Sequence, residues 1–373
     1  MAVAALEAPL ERLRREALEA LQRLDWQPIA DSPTVKSYTD WRPFNRLLVE
    51  GGEVGWERPS GDWDLVAGPC GDPSPPPAEL VARLARPAGS KLLAAHYSRL
   101  TGEAVAYAEN TGEPLKIALC RPRGGWGSRH LVLRLSGGET LVYIPPGPGS
   151  VVLEVYVDPG ARARLALVTG PLRDPAMGLV AVKLAAEGSE LRYGSLASSA
   201  QGQLRVEDVS ILAGAGASLE AYSLAVGRES GRLDYILDTV QDAPATAARA
   251  ALEGLAFDES LVAARGTARV TRRARKSRSS FDASVLMLGE ASRGYTAPMM
   301  EIDTGDVEEA SHHASQEKAS RDALFYLASR GLSTREAVEL ITAGKLEKLA
   351  STLETLSGTL HALAADAAGM GQQ

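Results

Sequence analysis

The chain has 373 residues, enough for two or three domains and a substantial core. An apolar fraction of 45% and a charged fraction of 23% are those of a soluble globular protein, and a net charge of −7 argues against affinity for nucleic acid. No apolar run approaches the roughly 20 residues that cross a bilayer, so no membrane partner is expected.

In chain order, Leu6, Leu10, Leu13, Leu18, Leu21 and Leu24 share one helical face, with Glu7, Glu11, Arg12, Arg14, Arg15 and Glu19 opposite. The spacing predicts a helix over 6–24, closed by Pro28. Charges in its first turns are unlike a secretory signal. Residues 25–80 are rich in Trp, Pro and Gly, and "CGDPSPPPAEL" from Cys70 reads as a stiff polyproline-type connector. Leu80, Leu84, Leu92 and Leu93 predict a short helix over about 78–99, broken around Pro87 and Gly89. Cys70 and Cys120 are the only cysteines and have no metal or redox spacing, so a reduced, cytoplasmic protein is expected.

From about 103 to 305 runs of five to eight residues alternate apolar and polar, as in "HLVLRL", "VVLEVYV" and "QLRVEDVSIL". Val151, Leu153, Val155 and Val157 fall on one face, with Glu154 and Tyr156 on the other, the period of a half-buried strand. Turns such as "SGGE", "DPGA" and "AGAGA" recur every 10 to 14 residues or so. The pattern is all-β, leaving a sandwich, a barrel or a solenoid open. The basic run "RGTARVTRRARKSRSS" from Arg265 lacks interleaved aromatics and reads as a solvated strand face. Glu301, Asp303, Asp306, Glu308 and Glu309 could pair with it from a neighbouring strand.

The C-terminus returns to helices. Ser320 can cap one ending at Arg330 and Gly331. "STRE" from Ser333 is a capping box opening a second, which Gly344 is expected to close. A third, from about 345, aligns Leu346, Leu349, Leu353, Leu356, Leu360 and Leu363, a stripe long enough to serve a partner as well as a core.

No phosphate-binding loop, nucleophile elbow or H-E-x-x-H occurs, and "AGAGAS" at 213 lacks the context of a dinucleotide site. A solenoid enzyme acting on polysaccharide would need aromatic platforms that the strand region lacks. His312 and His313, two of only five histidines, are adjacent; in an extended segment they diverge, so spacing alone favours a polar junction over joint ligation.

"TAPMMEIDTGDVEEASHHASQEKASRDALFYLASRGLSTREAVELITAG" resembles the C-terminal signature of the SufB/SufD family of iron–sulfur cluster assembly proteins. The matching positions are Pro298 to Glu301, Asp306 and Val307, Ser311 to Ala314, residues 324–332, and Glu336 to Ile341. "KSYTDWRPFNRL" from Lys36 resembles the Trp-x-Tyr-Thr-Asp-Leu segment of SufD-type N-termini, with Trp41 in place of the leucine. The resemblance implies a mainly β protein: a right-handed β-helix (solenoid) core over 101–307, flanked by helical N-terminal (1–100) and C-terminal (308–373) domains. It implies a non-catalytic subunit of a SUF assembly complex that pairs with a SufB-like scaffold through its core and binds the SufC ATPase through its C-terminal helices. The alternative is a stand-alone homodimeric scaffold holding a cluster through histidines and carboxylates. His312 takes the place of the family's interface histidine, making it the expected metal ligand, with His313 beside it as a second contact to a transient iron–sulfur cluster. FADH2 is a further possible ligand. The scaffold cysteine of SufB-like members is missing: the segment around Ala283 reads "SSFDASVLMLGEAS", and no cysteine lies between 121 and 373. The chain therefore looks SufD-like and dependent on a partner's thiolate, the soft ligand such clusters use.

Overall fold

The structure, a computed structural model, describes residues 2–27, 38–318 and 333–370. Its helices are α1 (Ala2–Arg23), α2 (Arg42–Glu50), α3 (Lys91–Arg99), α4 (Thr334–Ala350) and α5 (Ser357–Ala367). Before the core come β1 (Val54–Glu57) and β2 (Leu65–Ala67). The core opens with β3 (Val105–Thr111), β4 (Leu115–Leu119), β5 (Arg121–Gly124) and the long β6 (Gly127–Ile144). It continues through β7 (Gly149–Val157), β8 (Arg162–Leu172), β9 (Ala176–Ala185), β10 (Glu190–Ser199), β11 (Gln203–Leu212) and β12 (Ser218–Gly227). The last coils are β13 (Arg232–Gln241), β14 (Ala247–Ala256), β15 (Leu261–Val270), β16 (Ser277–Met287), β17 (Arg293–Ile302) and β18 (Val307–Lys318).

All but β1 and β5, which pair antiparallel with each other in a separate two-stranded sheet, form a parallel β-solenoid of about 8 turns. One wall runs β3-β6-β7-β9-β11-β13-β15-β17 and the other β2-β4-β6-β8-β10-β12-β14-β16-β18. Register is kept by stacking like on like: Leu204 lies on Leu233 in one wall and Leu219 on Ala248 in the other. β6 serves both walls, bending at Gly138 (φ +72°), where a Cβ would meet the Gly112 carbonyl oxygen at 2.4 Å. Alternate residues point inward and fill a continuous core, from Leu131 and Leu153 to Leu237, Leu252 and Phe281.

The outer faces explain the terminal helices. Leu6, Leu10 and Leu13 of α1, with Leu92 and Tyr97 of α3, pack on Val132, Val152, Val180 and Val182 of the first wall. Hence Glu154, expected on a polar face, is wholly buried; its carboxylate accepts the Leu84 and Ala85 amides at 2.8 and 2.7 Å. The second wall is covered by Leu346, Leu349, Leu353, Leu356 and Leu360, packed on Leu141, Val168, Leu196 and Leu224. The leucine stripe is thus satisfied mostly by the chain's own core.

The C-terminal boundaries differ from expectation. Gly344 does not end a helix, because α4 runs through it into open space where a glycine is harmless. The break lies at 351–356, where Glu139 from the solenoid accepts the backbone N–H groups of Glu354, Thr355 and Leu356 at 2.7, 3.2 and 3.0 Å. The Ser333–Glu336 capping box forms as expected; the helix expected from Ser320 lies outside the described residues. α2 was not legible, its proline at N1/N2 and Phe44 hidden in a stretch that reads as irregular. Among the described residues no helix is long and apolar enough to cross a membrane.

The expectation of two free thiols is corrected. Cys70 and Cys120 form a disulfide, brought to a Cα separation of 5.7 Å by pairing of β2 with β4. A separation of 50 residues carries no hint of this.

Candidate functional site at the last coil

The basic run behaves as a charged outer face. Arg269 pairs with Glu301 and Asp303 at 3.6 and 3.1 Å, Arg275 with Asp306 at 3.0 Å and Arg278 with Glu308 at 2.8 Å, each across neighbouring coils. These rungs fix the register of the last coil, on which both histidines sit.

His312 and His313 lie inside β18, in a strand and not in a turn. Phe281 is the register partner of His312 and Asp282 that of His313. Paired residues of parallel strands project to the same side, so His312 extends the inward row of Ser279, Phe281, Ala283 and Val285. It is exposed nonetheless, because no further strand stacks on β18 among the described residues. His313 points outward, its Nδ1 2.9 Å from Asp282 Oδ1, and is itself exposed. The structure therefore separates the two imidazoles. Ala310, Ala314 and Gln316 flank His312 on the same face, and Thr296, Pro298 and Met300 of β17 continue it on the other wall. Ala283 lies one coil below in register with Ala314. No group of three or more His, Cys, Asp or Glu able to hold a metal occurs among the described residues.

Residues 148–345 match the family described as SUF system FeS cluster assembly, SufBD core domain. The chain belongs to the SufBD family. The match takes in β7 through most of α4, and with it both histidines. Curated relatives of this SufBD-family chain include an iron–sulfur cluster assembly SufBD family protein of Staphylococcus saprophyticus, 30% identical over 143 residues (38% of this chain, 30% of the relative). Another, from Mycobacterium tuberculosis strain H37Rv, is 29% identical over 208 residues, 55% of this chain and 24% of the relative. The chain thus spans less than a third of the length of these relatives.

Sequence reasoning missed three buried polar constellations. Inside the solenoid Lys183 pairs with Asp208, whose other oxygen accepts the Tyr193 and Tyr235 hydroxyls at 2.6 and 2.7 Å. Burial lowers the Lys183 pKa, against the opposing pull of Asp208. Beneath α3, His96 Nδ1 lies 3.0 Å from Ser150 Oγ and Nε2 3.2 Å from His130 Nδ1, with His130 Nε2 3.6 Å from Glu154. Burial, then the neighbouring His130 and Arg129 charges, holds the His96 pKa well below its ordinary value. On the outside of the first wall Asp234 is wholly buried between Arg205 (2.5 Å) and Arg265 (2.9 Å). Alternation alone marks none of these, since an inward Lys183 or Asp208 breaks the apolar period.

Proposed function

We propose that this chain is a non-catalytic, SufD-like subunit of an iron–sulfur cluster assembly complex. It pairs through its last coil with a SufB-like scaffold and binds a SufC-type ATPase through α4 and α5. His312 offers a neutral imidazole to a nascent cluster at the subunit boundary, and the thiolates come from the partner. The observation that carries this reading is His312 itself: an exposed imidazole on the inward row of a terminal strand whose outer edge has no strand partner among the described residues. An open parallel edge is a ready surface for strand pairing with another subunit. His313, turned to Asp282, is a secondary contact. The proposal includes a cytoplasmic setting and FADH2 as an optional electron-carrying ligand; both rest on the family resemblance, the flavin being checked by its absorbance in the purified complex.

The test is co-expression with a SufB-like and a SufC-type partner. His312→Ala should leave complex formation and melting temperature unchanged and strongly lower iron and acid-labile sulfide. Full cluster content in that variant would return His312 to a structural role. A second reading, a homodimeric scaffold joined edge to edge, is favoured by the same open strand; a coloured, cluster-bearing dimer in the absence of any partner would select it.

A further inference from the structure

The disulfide lies at the opposite end of the solenoid from the histidines, where nothing in the proposed function uses it. Cys70 opens the Pro-rich connector after β2, and Cys120 lies between β4 and β5. The two positions are held together by more than the S–S bond. Leu65, Val66 and Ala67 pair with Ile117, Ala118 and Leu119, the Cys120 amide donates to the Ala67 carbonyl at 2.9 Å, and the Cys70 amide approaches Cys120 Sγ at 2.9 Å. Opening the bond would leave β2 paired with β4 and Cys120 anchored, so the sulfurs stay close enough for intramolecular reclosure while the connector beyond Cys70 loses its tether.

The pair is also asymmetric. Cys120 is wholly buried while Cys70 is part-exposed, so Cys70 is the side from which an external thiol can approach. Cys120 is then the leaving group, and its surroundings favour a thiolate. Its sulfur faces the Cys70 N–H, and its carbonyl lies 3.4 Å from Nη1 of Arg129. Arg129 is a fully buried guanidinium that forms no ion pair among the described residues, its remaining partners being the Pro145 carbonyl at 2.6 Å and the Met177 sulfur at 3.7 Å. The Cys70 N–H aimed at Cys120 Sγ is the contact that favours a charged sulfur there.

We propose that Cys70 and Cys120 form a reversible thiol–disulfide latch that holds the connector over the edge of the first coil. A glutathione thiolate attacks Cys70 Sγ, the S–S bond breaks, and its electron pair leaves on Cys120 Sγ. A second glutathione attacks the glutathionyl sulfur of the mixed disulfide, forming glutathione disulfide and releasing the Cys70 thiolate. The protein gains two electrons and two protons, and two glutathiones are oxidised; closure is the reverse. What the latch controls follows from the connector's contacts. The Tyr107 amide donates to the Ser74 carbonyl at 2.6 Å, and the Ser74 hydroxyl donates to the Tyr107 carbonyl at 2.5 Å, so the connector covers the outer edge of β3. Beyond it β3 pairs only with β6 among the described residues. The latch therefore governs access to an edge strand that would otherwise invite pairing.

The experiment equilibrates the folded full chain in glutathione buffers of varied reduced-to-oxidised ratio, traps thiols by alkylation and reads intact mass. We expect no alkylated cysteine at the oxidised end, two at the reduced end, and one transition that is the same in both directions. Hydrogen exchange at residues 70–77 and 105–111 should quicken several-fold on reduction, while residues 203–256 are unchanged. Cys70→Ser and Cys120→Ser should each show the fast exchange in every buffer; Cys70, being part-exposed, provides the variant least prone to misfold. Thiols that alkylate in oxidising buffer, a bond that resists every ratio in the folded protein, or exchange that ignores reduction would each overturn the latch.

Discussion

Thr39 and Asp234, 195 residues apart, meet in a 2.7 Å hydrogen bond from the threonine hydroxyl to the buried carboxylate. Around it the segment before α2 is fastened to the first wall: Tyr38 packs on Tyr295 with Arg265 over its ring, and the Asp40 amide donates to Gln203 at 2.9 Å. The Tyr-Thr-Asp stretch that the sequence resemblance singled out is, in this structure, a docking strap.

Breaking that strap should be costly at its centre. Asp234→Ala leaves Arg205 and Arg265 facing each other without their carboxylate, so a loss of about 3–5 kcal/mol in urea unfolding is expected, against about 1 kcal/mol for Thr39→Val. Burial alone would raise the Asp234 pKa, but Arg205, Arg265 and Thr39 hold it down to about 2. Its contribution is therefore complete above the unfolded value of about 4 and is lost as pH falls from there through about 2. Equal urea midpoints for wild type and Asp234→Ala at pH 7 would contradict this.

Asp238 behaves oppositely. Burial raises its pKa to about 6, with the Thr267 amide at 2.7 Å only partly compensating. Its ionisation opposes folding increasingly between about pH 4 and 6, and fully above that. Asp238→Asn, which can still accept the Thr267 N–H, should raise the melting temperature at pH 8 and change it little at pH 4. A gain of the same size at both pH values would disprove the cause.

The N-terminal helices should loosen in acid. His96 is neutral in the fold with its pKa held well down, so its contribution is present above the unfolded value of about 6.5 and is lost as pH falls below it toward the folded value. Trp126, whose indole N–H donates to Ser128 and Ser150 in the same buried network, is the reporter. Its fluorescence should shift below pH 6.5 in wild type, and His96→Gln should flatten that shift.

Leucines of α4 should separate stability from binding. Leu349, fully buried against the second wall, should cost about 2–5 kcal/mol when changed to alanine. Leu340 is 62% exposed, and Leu340→Lys should leave the melting temperature within a degree or two while weakening capture of a SufC-type ATPase at least tenfold in calorimetry. Unchanged affinity would move the ATPase surface elsewhere.

Period-two alternation made the solenoid's strands legible, and paired charges such as Arg278 and Glu308 could be foreseen because coil neighbours oppose each other. What alternation cannot say is what covers the outside. Glu154 reads as solvent-facing until helices are laid over it, and Leu346 to Leu360 read as surplus until Glu139 bends them onto the second wall. The histidines and their divergence were legible in the sequence; which of the two faces inward is a matter of register, His312 following Phe281 and His313 following Asp282.

The strand order has one more consequence, which is metric. From β4, beside Cys120, to β18, bearing His312, the second wall takes seven inter-strand steps. At about 4.8 Å each this is roughly 34 Å. That span is about four screening lengths of about 8 Å in physiological salt, so the field of an exposed charge at one end is largely screened at the other. The solenoid acts as a rigid insulating spacer: whatever happens to the thiols can reach the imidazole only by mechanical displacement of stacked coils, or not at all.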